Sequence, residues 1–361
     1  MMLEREHWYQ ELLGRDVFRL PREAARSFAG TTILVTGGAG SIGSELVWRL
    51  HELDAARIVV FDNAEDRLYQ LHRELQITQC EQVELVLGDI NSRKEILWVL
   101  EKYHPQVVFH AAAHKHVDFL EAQVLAAVRT NVFGTRNVLT ASLASGVESI
   151  VVLSSDKATN PVSVLGATKR VVELLVLANC ERANVSAVRF CNVLGTTGSL
   201  LPLVAEQAKK GVVRITDASA DRYFIAPKEA ADLLLSAASA CENGVLIPAV
   251  ASRLDIRALV DKILQHSGSD EAQIKFEIIG LRPGERLSEE LYSDEEVLES
   301  STADGLMKAG AAERDVRDLR AGVEELEDAY STGDDNLVIE KLMKVVPGYK
   351  SAVKVSTPLS Q

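Results

Sequence analysis

No stretch of this 361-residue chain stays apolar long enough to cross a bilayer. The longest runs, VVELLVLANC (171–180) and ADLLLSAASA (231–240), are half of the roughly 20 residues that a spanning helix needs. Positive charge is also scarce: 39 Lys and Arg against 52 Asp and Glu leave a net charge of −13. Nucleic acids and anionic membranes call for a basic surface, so neither is an expected partner. An acidic whole can still hold a small basic pocket for an anionic metabolite. Cys80, Cys180, Cys191 and Cys241 form no Cys-x-x-Cys pair. Reduced thiols, a cytoplasmic location and no metal site are expected. Residues 1–30 are heavily charged, so no signal peptide is expected there.

What is present, 47% apolar residues, suits a folded globular chain whose two ends alone read as loose. Residues 1–30 form a polar, helical lead-in. After it, short β-branched runs alternate with stretches of helical spacing. TILVTG (32–37), RIVVFD (57–62), VELVLGD (83–89), QVVFHAA (106–112), SIVVLSS (149–155) and VSAVRF (185–190) are the expected strands. Helices are expected between them, including a long one over 119–144 and another over 162–182. This rhythm means βαβ units and a parallel sheet, with strands covered on both faces. Past Asn192 the rhythm loosens, and residues 193–225 and 245–295 are expected to cap the strand ends. From Glu295 the chain reads as polar and helical, with a loose tail at SAVKVSTPLSQ. The expected architecture is α/β: a Rossmann-type doubly wound parallel sheet with a smaller C-terminal substrate-binding subdomain. Its expected divisions are a lead-in (1–30), a dinucleotide domain (31–192), the subdomain with interleaved segments (193–345) and a tail (346–361).

TGGAGSIG (36–43) sits between the first strand and the first helix. Gly37, Gly40 and Gly43 let the chain turn tightly, let a pyrophosphate approach the backbone and let the helix pack close to the sheet. An acid, Asp62, ends the second strand, as the dinucleotide fingerprint requires. A carboxylate there bonds ribose hydroxyls and repels a 2′-phosphate, which favours NAD; Arg67 nearby keeps NADP open. Ser41, Ile42, Ile90 and Ala111 are further candidate cofactor contacts. Asp89, in GDI, either reaches the adenine or caps the next helix.

HAAAHKHV (110–117) closes the fourth strand and SSDKATNP (154–161) the fifth. Ligands of doubly wound sheets bind beyond the carboxyl ends of the strands, so both stretches open into one crevice. Lys115, His116 and Asn131 are candidate substrate contacts there, with a structural role for His116 as the alternative. Cys191 reads as a packing residue. The acids of 289–299 read as a solvated face.

The stretch 32–295 resembles the extended short-chain dehydrogenase/reductase superfamily. Within it, the chain resembles the polysaccharide-biosynthesis dehydratases that act at C4 and C6 of UDP-N-acetylglucosamine. The resemblance rests on TGGAGSIGSEL, FDNAEDRLYQL, HAAAHKHV, TNVFGTRNV, SSDKATNPVSVLGATKR, VRFCNVLGTTGSLLPL, RYF (222–224) and GLRPGERLSEEL (280–291). The lead-in ELLGRDVFRL resembles the segment before this domain in larger, membrane-anchored members.

The resemblance implies oxidation at C4, loss of water across C5 and C6, and return of the hydride to C6. It implies Asp156 as the acid for the C6 hydroxyl and Lys157 as the base at C5. Burial and the Lys169 ammonium are expected to lower the Lys157 amine, with a proton shared across the Asp156–Lys157 pair as the alternative. It places Asn192, Arg222 and Arg282 near a UDP-sugar. Where most of the superfamily has an active-site Tyr, this chain has Leu165, as in a C5-retaining subgroup. Ser155, Asp156 or a water held by Lys169 is left to accept the C4 hydroxyl proton. Two rivals remain: an epimerase that returns the hydride to C4, and a non-catalytic NAD- or sugar-nucleotide-binding protein. Pairing of the 119–144 and 162–182 helices across a dimer is expected from the superfamily.

Overall fold

The computed structural model describes residues 2–267, 274–310 and 318–351, with no account of the side chains of residues 2–5. The β-branched runs form six strands: β1 (Thr32–Thr36), β2 (Arg57–Asp62), β3 (Val83–Leu87), β4 (Val107–His110), β5 (Ser149–Ser155) and β6 (Asn184–Phe190). They pair in parallel in the order β3-β2-β1-β4-β5-β6. This is a Rossmann-type doubly wound sheet, with its order reversing between β1 and β4. Val35, Val59, Val108 and Val151 have no exposed surface, because helices cover both faces and leave no solvent side to alternate with.

The sheet does not stop at β6. Gly244–Pro248 adds to it in parallel, and Leu306–Ala309 and Leu298–Ser300 then extend it antiparallel to nine strands. The polar helical stretch expected from Glu295 therefore begins with two strands, and its helices start only at Leu319. Between these returns lies a smaller lobe with its own core. A three-stranded and a two-stranded sheet carry the helices Leu200–Ala208 and Ile256–His266. Leu12, Leu13 and Val17 of the lead-in join Val213, Ile215, Leu259 and Ile263 inside it.

The lead-in is tied down by two fully buried carboxylates on the helix Pro227–Ala240. Glu229 accepts from both Arg15 terminal nitrogens (2.6 and 3.0 Å) and from the Phe18 amide. Asp232 accepts from the Leu20 amide and from Arg49 Nε.

The helix expected over 119–144 is broken into Val117–Glu121, Val124–Ala127, a π-helical turn Val128–Gly134 and Thr135–Ala144. The wide turn surrounds Asn131, whose amide clamps the backbone of His114, and Thr135 Oγ1 donates to the Asn131 carbonyl at 2.6 Å. Wide turns of this kind concentrate at functional sites.

The hairpin Leu319–Thr332 and Asp335–Val345 packs on the helices Val124–Ala127 and Val164–Leu177. Arg136 forks onto Glu327 at 2.7 Å twice, and Phe133 meets the Tyr330 ring edge-on. These are the helices expected to pair across a dimer. The chain's own hairpin packs against them. Of the expected tail, Tyr349 is buried and the Lys350 amide donates to Pro161; residues 352–361 lie outside the described residues. No helix among those described is long and apolar enough to cross a membrane.

Leu326 and Leu342 carry the hairpin's core and have no exposed surface. Either Leu→Ala substitution is expected to cost about 2–5 kcal/mol, read as a lowered midpoint in urea unfolding.

Candidate active site

Gly37 ends β1 with φ +69° and its amide bonded to the Phe61 carbonyl. A Cβ there would lie 2.5 Å from the Ala112 amide nitrogen, and one at Gly43 would lie 2.2 Å from the Gly37 carbonyl oxygen. Only glycine permits this cradle, and the helix Ser41–Glu52 starts above it, as pyrophosphate binding demands. Asp62 stands at the rim: Oδ2 accepts from the Ala39 amide and Oδ1 from the Ala64 amide, both at 3.0 Å. A cleft of about 330 Å³ opens here, lined by Gly40, Ser41, Arg67, Gln70, Thr197 and Tyr9. Thr197 folds over the glycine loop, donating its amide to Ser41 Oγ (3.1 Å) and receiving Lys115 Nζ on its carbonyl (2.8 Å). The residues thus fit a dinucleotide. Tyr9 comes from the lead-in, and nothing in the local sequence marks it.

The other cofactor candidates act mainly through backbone and packing. The Ala111 amide donates to Thr36, tying β4 to β1. Ile90 is buried against Gly134, and Ile42 packs on the main core. Asp89 is not the helix cap: Ser92 Oγ caps Arg93–Tyr103, while Asp89 Oδ1 accepts from the amide and side chain of Asn91.

Ser155, Asp156 and Lys157 form one tight turn at the end of β5. Lys157 Nζ and Ser155 Oγ both donate to Asp156 Oδ1, each at 3.0 Å. Asp156 is 1% exposed, and its Oδ2 is buried with no hydrogen-bond partner among the described residues. Glu289 Oε1 lies 3.6 Å from Lys157 Nζ. Burial works to lower the Lys157 amine, but the Asp156 and Glu289 carboxylates outweigh it and hold the amine above the usual lysine range. This corrects the expectation of a lowered Lys157. Lys169 is committed elsewhere, donating to the Leu153 carbonyl at 2.7 Å, and burial brings its own amine down to about 8 despite Glu173. Leu165 is 3% exposed and belongs to the main core. Burial, with Lys169 beside it, lowers His110 to about 3, so its imidazole is neutral and bridges Thr36 and Thr135.

Among the substrate candidates, Asn131 is removed. It has no exposed surface, and its amide is spent on the His114 backbone and Thr168 Oγ1, so it positions the loop before His116. Asn192 Nδ2 donates to the Tyr223 carbonyl. Arg222 gives its guanidinium to the carbonyls of Asp221, Leu287 and Arg286 and projects positive charge onto Lys157 and Glu289. Arg282 reaches out to Asp118 at 2.7 Å, half exposed. Lys115 and His116 lie on the exposed loop over Thr197 and Gly198. Burial and then Asp156 push the Cys191 thiol well up, which leaves it inert.

Sequence reasoning missed Glu289. The acids of 289–299 are no helix, and Glu289 is only 5% exposed. Arg189 fixes its segment with all five donors: Nε and Nη2 to Glu173, Nη1 and Nη2 to Glu296, and Nη1 to the Leu291 carbonyl, at 2.8–2.9 Å. Among the described residues no group of His, Cys, Asp and Glu could hold a metal ion.

Two outcomes are expected. Gly37→Ala should weaken NAD binding at least about tenfold by titration calorimetry, since its Cβ fills the cradle. Lys169 titrates near 8 when folded and near 10.5 when free. The unfolded chain therefore holds more protons across that interval. The stability of the wild type relative to Lys169→Met should rise from about pH 8 to 10.5 and stay flat below, read in denaturant melts.

Residues 33–311 match the family described as "Polysaccharide biosynthesis protein". The chain is 37% identical over 296 residues to the capsular polysaccharide biosynthesis protein CapD of Staphylococcus aureus, covering 80% of this chain and 49% of that one. It is 29% identical to a UDP-glucose 4-epimerase of Rickettsia akari, covering 88% and 96%. The fold matches the Streptomyces venezuelae dTDP-glucose 4,6-dehydratase DesIV, solved with NAD and TYD bound, with a TM-score of 0.64 at 22% identity, covering 81% and 97%. The chain spans about half the length of the first curated relatives it matches. On the extent of the match, the chain belongs to the polysaccharide biosynthesis protein family.

Proposed function

We propose that the chain is an NAD-dependent nucleotide-sugar 4,6-dehydratase acting on UDP-N-acetylglucosamine. The observation that carries this reading is the Asp156–Lys157 pair beyond β5, with Asp156 buried and its Oδ2 without a hydrogen-bond partner among the described residues. A C4 epimerase needs no acid–base couple for C5 and C6. Bound at the glycine loop with Asp62 on its ribose, the dinucleotide supplies hydride acceptance from C4 and return to C6. Asp62 favours NAD; Arg67 in the same cleft leaves room for a 2′-phosphate.

Once C4 is a ketone, the C5 proton is acidic. The resting couple is an ammonium and a carboxylate. One proton passing from Lys157 Nζ to Asp156 Oδ1 across 3.0 Å yields the free amine and the carboxylic acid together. Lys157 then takes the C5 proton. The C5–H electrons form the C5–C6 double bond, the C6–O bond breaks, and the hydroxyl leaves as water with the Asp156 proton. The couple is again ammonium and carboxylate; when C6 is reduced, Lys157 gives its proton to C5 and the amine regains one from solvent. A titration shared by such a pair belongs to both members.

Leu165 has no group to take the C4 hydroxyl proton. Ser155 Oγ, bonded to Asp156, is the proposed relay that passes this proton to solvent, so the couple enters the elimination as ammonium and carboxylate. The Leu also supports a product that retains the C5 configuration. Arg222, Arg282, Lys115 and Asn192 are the proposed nucleotide-sugar contacts, and Arg282 would exchange Asp118 for diphosphate. Likeness to the Rickettsia epimerase favours epimerisation as the second reading.

Incubation with NAD and UDP-N-acetylglucosamine, followed by mass spectrometry, is expected to show loss of one water. Lys157→Ala and Asp156→Asn should each cut that rate at least about 10²-fold. An isomer of unchanged mass would instead identify the epimerase, and recovered substrate a binding protein.

A further inference from the structure

Lys157 has two carboxyl neighbours, and the proposed reaction uses only one. Asp156 takes its hydrogen bond at 3.0 Å, while Glu289 faces the same Nζ at 3.6 Å. Glu289 comes from a segment far along the chain, is 5% exposed, and has Lys157 as its one ion-pair partner among the described residues. A buried carboxylate is costly to keep without a cation, so a place this close to the amine is a built one. The support is rigid: Leu291, two residues on, accepts from both Arg189 and Thr159 Oγ1, and Glu296 is forked by Arg189. Its neighbour Glu290 points the other way, to Asn160 at the surface.

We propose that Glu289 is a positioning residue of the active centre, whose carboxylate keeps the Lys157 amine beside Asp156 and sets how tightly that amine holds its proton. The role rests on the reading of Lys157 as the C5 base. A base that holds a proton more tightly takes it from carbon with more driving force, and the second carboxylate supplies that difference. The other charges facing the pair are Arg222, from the strand Asp221–Ile225, and Arg286, from Glu289's own segment. Both guanidinium groups bond backbone carbonyls. The Cys191 thiol also faces the pair and stays neutral.

The test follows Lys157 itself, in the whole protein without substrate. With ¹⁵N-labelled lysine, the Nζ resonance lost in Lys157→Met is titrated by NMR. Glu289→Gln is expected to lower the proton affinity of Lys157 about tenfold or more, while Glu290→Gln leaves it in place. Glu289→Asp withdraws the carboxyl by one methylene and should give an intermediate fall; it carries the test where the Gln variant does not fold. In turnover, the high-pH limb of kcat/KM should move to lower pH in Glu289→Gln. A Lys157 midpoint unmoved in both variants, with activity reduced equally at every pH, overturns the proposal and leaves the dehydratase reading standing. A moved midpoint in a protein that dehydrates no nucleotide sugar supports the Glu289 role and removes the reaction instead.

Discussion

The buried Arg189 guanidinium is the constraint on which the site depends. It sits on β6 with no exposed surface, and its five N–H donors are all taken by Glu173, Glu296 and the Leu291 carbonyl. Moving an ion into a protein interior is costly, and only complete bonding of this kind offsets it. Glu173 is held ionised for the same reason: burial would raise it, but Arg189 brings it below the usual carboxylate range. One side chain thereby joins three parts of the chain: the strand next to β5, the helix that carries Leu165 and Lys169, and the segment that delivers Glu289. Removing one partner of such a network typically costs about 3–5 kcal/mol, and here it would also release the wall of the crevice.

Around that anchor, each titratable group is set by how its charge is met. Lys157 meets two carboxylates and stays an ammonium. Lys169, sixteen residues from the carbonyl it bonds, meets mostly burial and comes down. His110, between two threonines and near Lys169, cannot take a proton at all near neutrality. Leu165 adds apolar packing to a helix that is buried along most of its length.

Two segments outside the family match shape the molecule. The lead-in fills the core of the smaller lobe with Leu12, Leu13 and Val17, and lays Tyr9 along the cofactor cleft. Its hold is electrostatic and buried, through Glu229 and Asp232. At the other end, the 319–345 hairpin packs on the helices Val124–Ala127 and Val164–Leu177, and its Tyr330 and Glu327 meet Phe133 and Arg136.

The sequence by itself determined the six-strand parallel core and the glycine cradle, because both are local in origin. Continuous β-branched runs can only be strands buried on two faces, and a Gly with φ +69° pressed against Ala112 admits no substitute. It also determined that Asp156 and Lys157 are adjacent at a strand end. What only the tertiary structure decided is whom each charge meets. Glu289 looked like one of several surface acids until the returning chain buried it beside Lys157, and Asn131 looked like a ligand contact until its amide closed on His114. The strands at 298–300 and 306–309 were hidden for the same reason. Segments of three or four residues carry too little periodicity to declare a partner, and pairing with a distant edge, as in β6 with Gly244–Pro248 and then Leu306–Ala309, is a property of the assembled sheet and not of the residues taken alone.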